Sequence, residues 1–256
     1  MGAQGGAMTP ILTVGHLSTK ADRYCGEVTS EAPHAPWVLG GESLLAMASP
    51  GRPVGDLPEG LARMPGPCSI TAARYDDSPV GPYRELAVGQ PARLGARVGV
   101  CITTMVVTSV DSRLGGRVNW GFPKELGTLV WLDEGEDRIL RWEERGIVVR
   151  ATPVGPALPV LLPLRALQRR ADGLVSVRGH ARGRGRVARV EVTVPDDDPL
   201  AGLAGRHRGL LVAGMRLVVN PARRPVGFTA TLRAPLRAPE PALSWGRQSQ
   251  HTLTGD

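Results

Sequence analysis

The sequence predicts an α+β chain that is mainly β, arranged as a barrel or as stacked sheets with a few short helices. Two observations predict it. Runs rich in Val, Ile, Leu and Thr recur at close spacing with turn signals between them, and few stretches carry helical periodicity. The 33 glycines and 23 prolines, about a fifth of the 256 residues, suit a turn-rich domain and stay below the roughly 25–30% of low-complexity chains.

Residues 1–34 have little periodicity and are expected to be a mobile leader, with Lys20 a solvated charge in it. PWVLGGESLLAMA (36–48) holds the first expected strand. RVGVCITTMVVTSV (97–110) is rich in β-branched residues and ends at the turn signal Asp111-Ser112. LGTLVWL, DRILRW and GIVVRAT follow within 126–152, divided by turn chemistry such as Asp133-Glu134-Gly135. GLVSVRG (173–179), RVARVEVTV (186–194) and LLVAGMRLVVN (210–220) complete the strands. LPLRALQRR (162–170) and PLAGLAGRHRG (199–209) are the expected short helices. Residues 235–256 are Pro-rich, then polar, and read as a tail. No repeat or linker divides the stretch between, so 35–234 is expected to be a single domain.

Several function classes are disfavoured at this stage. The net charge of +7 and the pI near 10.1 raise the question of nucleic acid. The densest basic stretch, RGHARGRGRVARVEVTV (178–194), has no interleaved aromatic for base stacking, and its second half alternates as a strand. A solvated basic strand edge is the simpler reading, with nucleic acid the weaker alternative. Gly183 and Gly185 are not followed by a helical pattern and do not complete GxGxxG, and no GxSxG elbow occurs. No apolar run approaches the ~20 residues of a helical membrane span, and the N-terminus lacks a secretory pattern. The expectation is a soluble, cytoplasmic chain with no membrane partner. Cys25, Cys68 and Cys101 are odd in number and widely spaced. His16, His34, His180, His207 and His251 are scattered, so neither a metal nor another cofactor is expected.

One residue stands out against the composition. All but two of the 31 basic residues are arginine, and one exception, Lys124, sits in GGRVNWGFPKELG (115–127). Read as extended, which Pro123 favours, residues 117–124 place Val118, Trp120, Phe122 and Lys124 on one face. A lysine is a nucleophile only as the neutral amine. An exposed lysine, with a pKa near ~10.4, needs about 4.8 kcal/mol to bring that value near 7, which apolar burial supplies. Arginine does not deprotonate, so a position needing a neutral amine resists it. From the residues alone, Lys124 is either such a nucleophile or a surface lysine with its stem lying on Trp120 or Phe122. Alternation sends Glu125 to the opposite face, so its carboxylate is expected not to touch the Lys124 amine.

Gly116-Arg117 followed by Phe122-Pro123-Lys124-Glu125-Leu126-Gly127 resembles the signature of the acetoacetate decarboxylase family, whose lysine forms a Schiff base. Pro82-Tyr83-Arg84-Glu85 is similar to the family's Tyr-x-Glu, 39 residues before the lysine. The resemblance spans about residues 36–228. It implies a cone-like β-barrel with flanking strands and helices, a homo-oligomer, and a keto acid as small-molecule partner. It also implies Lys124 and Glu85 as catalytic residues, with Glu85 shuttling protons or positioning substrate. Tyr83, Trp120 and Phe122 are expected to line the pocket, and Arg117 to bind a carboxylate. Beyond the family's lysine pair, which is Lys124-Glu125 here, two positions depart from the family. Its further glutamate falls on Ile70, and its N-terminal arginine near Gly41, leaving Arg117 or Arg84 as replacements. Decarboxylation, aldol addition and dehydration all stay open as the net reaction. So does a barrel that binds a small molecule without turnover.

Overall fold

The structure, a computed structural model, describes residues 32–51 and 53–224. The expected tail and all but residues 32–34 of the expected leader, Lys20 included, lie outside them. The described strands are β1 (Trp37–Ala48), β2 (Ala62–Arg63), β3 (Cys68–Asp77), β4 (Tyr83–Leu94), β5 (Arg97–Val107) and β6 (Lys124–Leu126). They continue as β7 (Leu129–Glu134), β8 (Asp137–Trp142), β9 (Ile147–Pro153), β10 (Leu158–Arg170), β11 (Gly173–Thr193) and β12 (Gly205–Val219), with one α-helix, α1 (Val110–Trp120). Among the described residues, no helix is long and apolar enough to cross a membrane.

All twelve strands belong to one sheet, in the order β10-β5-β4-β3-β1-β12-β11-β9-β8-β7, with β2 on β4 and β6 on β5. Because β10 also pairs with β11, the first seven strands of that order close into a ring. The β10–β5 seam is thin, a single parallel pair of Ala166 with Val100. Strand β11 links two layers. Its first half, Gly173–Gly185, pairs with β10, and Ala188–Thr193 pairs with β9. The basic stretch therefore lies inside the sheet, paired on both sides, and not at the edge expected from its composition.

Strand alternation sorts the core into two compartments. Tyr83 and Ala87 of β4, Met105 and Val107 of β5, and Trp37 and Leu39 of β1 share the ring interior with Trp120 and Phe122. Leu86 and Val88 of β4, Val106 of β5 and Leu44 of β1 face the other way. There they pack beneath Trp131, Leu140 and Val149 of β7, β8 and β9.

Four expectations on local structure are corrected. LPLRALQRR is strand β10, whose thirteen residues all pair with β11, so tertiary pairing overrides the helix propensity of Leu, Arg and Gln. PLAGLAGRHRG holds only a 3-10 turn at Ala201–Leu203 before β12 begins. The Asp111-Ser112 turn signal is the first turn of α1, and the stretch 117–120, expected to be extended, is helical.

Candidate active site

Helix α1 delivers the signature motif. The Ser109 side chain caps its start by accepting from the Ser112 N–H, and Gly121 ends it in the left-handed conformation at φ 71°. A Cβ at Gly121 would also approach the Arg169 carbonyl oxygen to 2.3 Å, so glycine is required twice over. The chain then turns through Phe122-Pro123 into β6, which runs parallel to β5 and sets Lys124 beside Met105. The two glycines before Arg117 let the helix lie close. A Cβ on Gly115 would stand 2.5 Å from the Trp37 ring, and one on Gly116 would stand 2.5 Å from Cδ of Lys124.

The Lys124 side chain thus runs into the ring interior, only 3% exposed. Its Nζ donates to Glu85 Oε2 at 2.8 Å and to Ser112 Oγ at 2.9 Å. Glu85, 6% exposed, accepts at Oε1 from the Tyr75 hydroxyl at 3.3 Å. Nζ also lies 5.2 Å from the centre of the Tyr83 ring. Burial pushes the Tyr75 phenol well above its ordinary range, with the charge of Glu85 adding to the effect. Burial, then Glu85, raise Tyr83 likewise, opposed by a hydrogen bond with Ser112. These two neutral phenols and the Thr71 hydroxyl, together with one amine and one carboxylate, form the polar wall of an otherwise apolar cavity of about 100 Å³.

The expected residues divide clearly. Lys124, Glu85, Tyr83, Trp120 and Phe122 all line this cavity. Arg117 does not: it is exposed on α1, and its Nε donates to the backbone carbonyl of Lys124 at 2.7 Å. It braces the strand that carries the lysine and does not reach into the cavity. Arg84 alternates with Glu85 on β4 and is likewise absent from the lining. Val118, expected beside Lys124, is 66% exposed, because a helix places it on the solvent side. Glu125 is exposed on β6 and makes no bond to the amine, as alternation requires.

The two departures have physical readings. Gly41 cannot carry the family's arginine, since a Cβ there would come within 2.0 Å of the Arg74 carbonyl oxygen. Ile70 is buried in the second compartment and points away from Lys124. Sequence reasoning missed Ser112, Tyr75 and Trp37. The Ser109-x-x-Ser112 spacing signals a capped helix start, and Tyr75 sits directly across from Tyr83 in the β3–β4 ladder. A larger depression, about 420 Å³, is lined by Arg97, Arg178, Arg223 and Arg224, but it contains neither the lysine nor the glutamate.

A ring of strands thus encloses a buried amine–carboxylate pair beside a small cavity, shielded from bulk water. The family model for acetoacetate decarboxylase matches residues 56–203, more than half the chain. The chain belongs to the acetoacetate decarboxylase family. No curated protein matches it in sequence. Among solved structures it is similar to acetoacetate decarboxylase from Legionella pneumophila, at 14% identity and TM-score 0.59, over 84% of this chain and 97% of that one. It is also similar to the enduracididine biosynthesis enzyme MppR, solved with the condensation product of pyruvate and imidazole 4-carboxaldehyde. That match has 15% identity and TM-score 0.54, over 75% of this chain and 89% of that one. A third, an acetoacetate decarboxylase-like enzyme from Sphingomonas wittichii RW1, has 16% identity and TM-score 0.54, over 74% and 92%.

Proposed function

We propose that the protein is a Schiff-base lyase acting on a keto acid. The observation that carries this reading is the position of Lys124 Nζ: enclosed, 2.8 Å from Glu85 Oε2 and facing the cavity. Passing one proton along that hydrogen bond leaves a neutral amine and a carboxylic acid. The amine lone pair attacks the ketone carbon, and Glu85 returns its proton to the departing oxygen. Water leaves, and an iminium forms on Lys124. The cation is the electron sink. When a C–CO₂ bond on the adjacent carbon breaks, CO₂ departs and the bonding pair becomes the double bond of a neutral enamine. Protonation of that carbon and hydrolysis of the imine restore the lysine.

The setting favours each step. Low polarity around the cavity disfavours an isolated charge on either partner, so a proton that leaves Lys124 passes to Glu85. Ser112 Oγ, which accepts from Nζ, holds the amine in line as its hydrogen bond to Glu85 changes. Aldol-type chemistry on the same Lys124 iminium is the neighbouring reading, and the condensation product of pyruvate bound to MppR supports it.

The test is incubation with acetoacetate or pyruvate in the presence of borohydride, followed by mass spectrometry. A reduced adduct on Lys124 is expected. Absence of any adduct from the folded protein overturns the reading. A second reading, a barrel that binds without turnover, is favoured by one observation: among the described lining residues, Lys124 is the only cation. Thermal stabilisation by keto acids with no adduct selects it.

A further inference from the structure

The cavity at Lys124 does not end at its polar wall. Thr71, Tyr75, Ile102, Leu164, Ala166 and Leu217 line it and also line a second space within the same ring, about 280 Å³ in volume. From this lining we infer that the natural substrate is a straight-chain 3-oxo acid whose aliphatic tail occupies this chamber. The inference rests on the Schiff-base reading for the reacting end only.

The two spaces differ in chemistry. The titratable groups that line the first cavity are Tyr75, Tyr83, Glu85 and Lys124, and of these only Tyr75 also lines the second space. Beyond Thr71 the walls become Leu45, Val100, Leu162, Val212 and Met215, with Arg165, exposed, the one charged lining residue. A substrate with its ketone carbon at Nζ therefore has two distinct directions to extend. The carboxylate must stay on the polar side. The electron pair released with CO₂ reaches the iminium only from the adjacent carbon, so decarboxylation through Lys124 takes a 3-oxo acid. The substituent on the far side of the ketone runs into the apolar chamber. A molecule the size of acetoacetate fills the first cavity of about 100 Å³ and leaves the chamber unused. Together the two spaces reach the lower end of the roughly 300–1,000 Å³ typical of ligand sites.

The mouth of the chamber fits an acid. Met47, 45% exposed, lines it and pairs in register with Arg208, which pairs with Arg189. Directly opposed residues share a face, so Arg208 and Arg189 stand against each other on the two strands next to Met47. That like-charge pair attracts an incoming carboxylate. The substrate then reaches Lys124 past the lining that the two spaces share.

The experiment compares acetoacetate with its homologues bearing propyl, pentyl and heptyl tails, reading the rate of borohydride-trapped adduct. Unreactive straight-chain alcohols of matching length are tested in parallel by thermal shift. Adduct rate at low substrate is expected to rise about fourfold per added methylene until the chamber is full. The alcohols should stabilise the protein in the same order. Leu45→Trp, at the half-buried rim, should flatten both dependences, and Met47→Trp does the same should the first variant fold poorly. Equal rates for all tails, with no length dependence among the alcohols, overturn the inference while leaving the Schiff-base reading intact. No adduct from any acid, with length-dependent binding of the alcohols, removes the Schiff-base reading and sustains the chamber.

Discussion

Strand β4 is buried on both faces, and the faces do different work. Leu86 and Val88 enter an apolar cluster closed by Trp131, Leu140 and Val149. Tyr83 and Glu85, one residue out of step, enter the ring beside Lys124. The same backbone thus separates a compartment that holds the fold together from one that places polar groups out of water. The first gains its stability from apolar area. The second tolerates a buried ion pair, whose desolvation cost its mutual attraction offsets only when the geometry is good.

That contrast is broken most severely at Lys124. Lys124→Met strands the Glu85 carboxylate in the ring. It is expected to lower stability by about 3–5 kcal/mol and to abolish adduct formation, while Lys124→Met with Glu85→Leu recovers much of the stability but none of the chemistry. Denaturant unfolding of the two variants checks this. Ile70→Ala, in the aliphatic compartment, should cost about 2–5 kcal/mol yet leave trapping at Lys124 in the folded fraction. Gly116→Ala sharpens the comparison from the other side. Its Cβ would displace the lysine stem, so stability falls by roughly 1–3 kcal/mol. The rate of adduct formation should fall on the order of a hundredfold, because Nζ leaves its position against Glu85.

The smallest effect is visible only at high pH. Burial raises the phenols of Tyr75 and Tyr83, so the folded chain keeps both protonated where the unfolded chain would ionise them. The stabilisation is complete below the ordinary tyrosine value of about 10 and is lost as pH rises above it, at roughly 1.36 kcal/mol per pH unit for each phenol. Tyr75→Phe should reduce the steepness of alkaline destabilisation by one proton. Ultraviolet titration checks the pair directly. Two of the three tyrosines should ionise only as the chain unfolds.

Much of this arrangement is legible in the sequence, for physical reasons that differ by element. The β-branched run of β5 and the alternating runs of β7, β8 and β9 declare themselves, because those residues suit a half-buried pleat. The resemblance names Lys124 and Glu85 together, and the ring brings them to 2.8 Å. Helix α1 is hidden because Gly115, Gly116 and Val118 are poor helix formers. Its cap at Ser109 and its stop at Gly121 define it instead. The same misreading placed Val118 beside Lys124, since an extended chain and a helix send alternate side chains in different directions. Ser112 and Tyr75 escaped because each meets Lys124 or Glu85 only through tertiary pairing.

The central claim is that the amine of Lys124, and no other amine, forms the iminium. Because the chain has only two lysines, intact-mass analysis after trapping, comparing wild type with Lys124→Arg, tests it most directly. The account expects one adduct per wild-type chain, mapped to the peptide holding Lys124, and none on the variant. Equal labelling of the two proteins would contradict it.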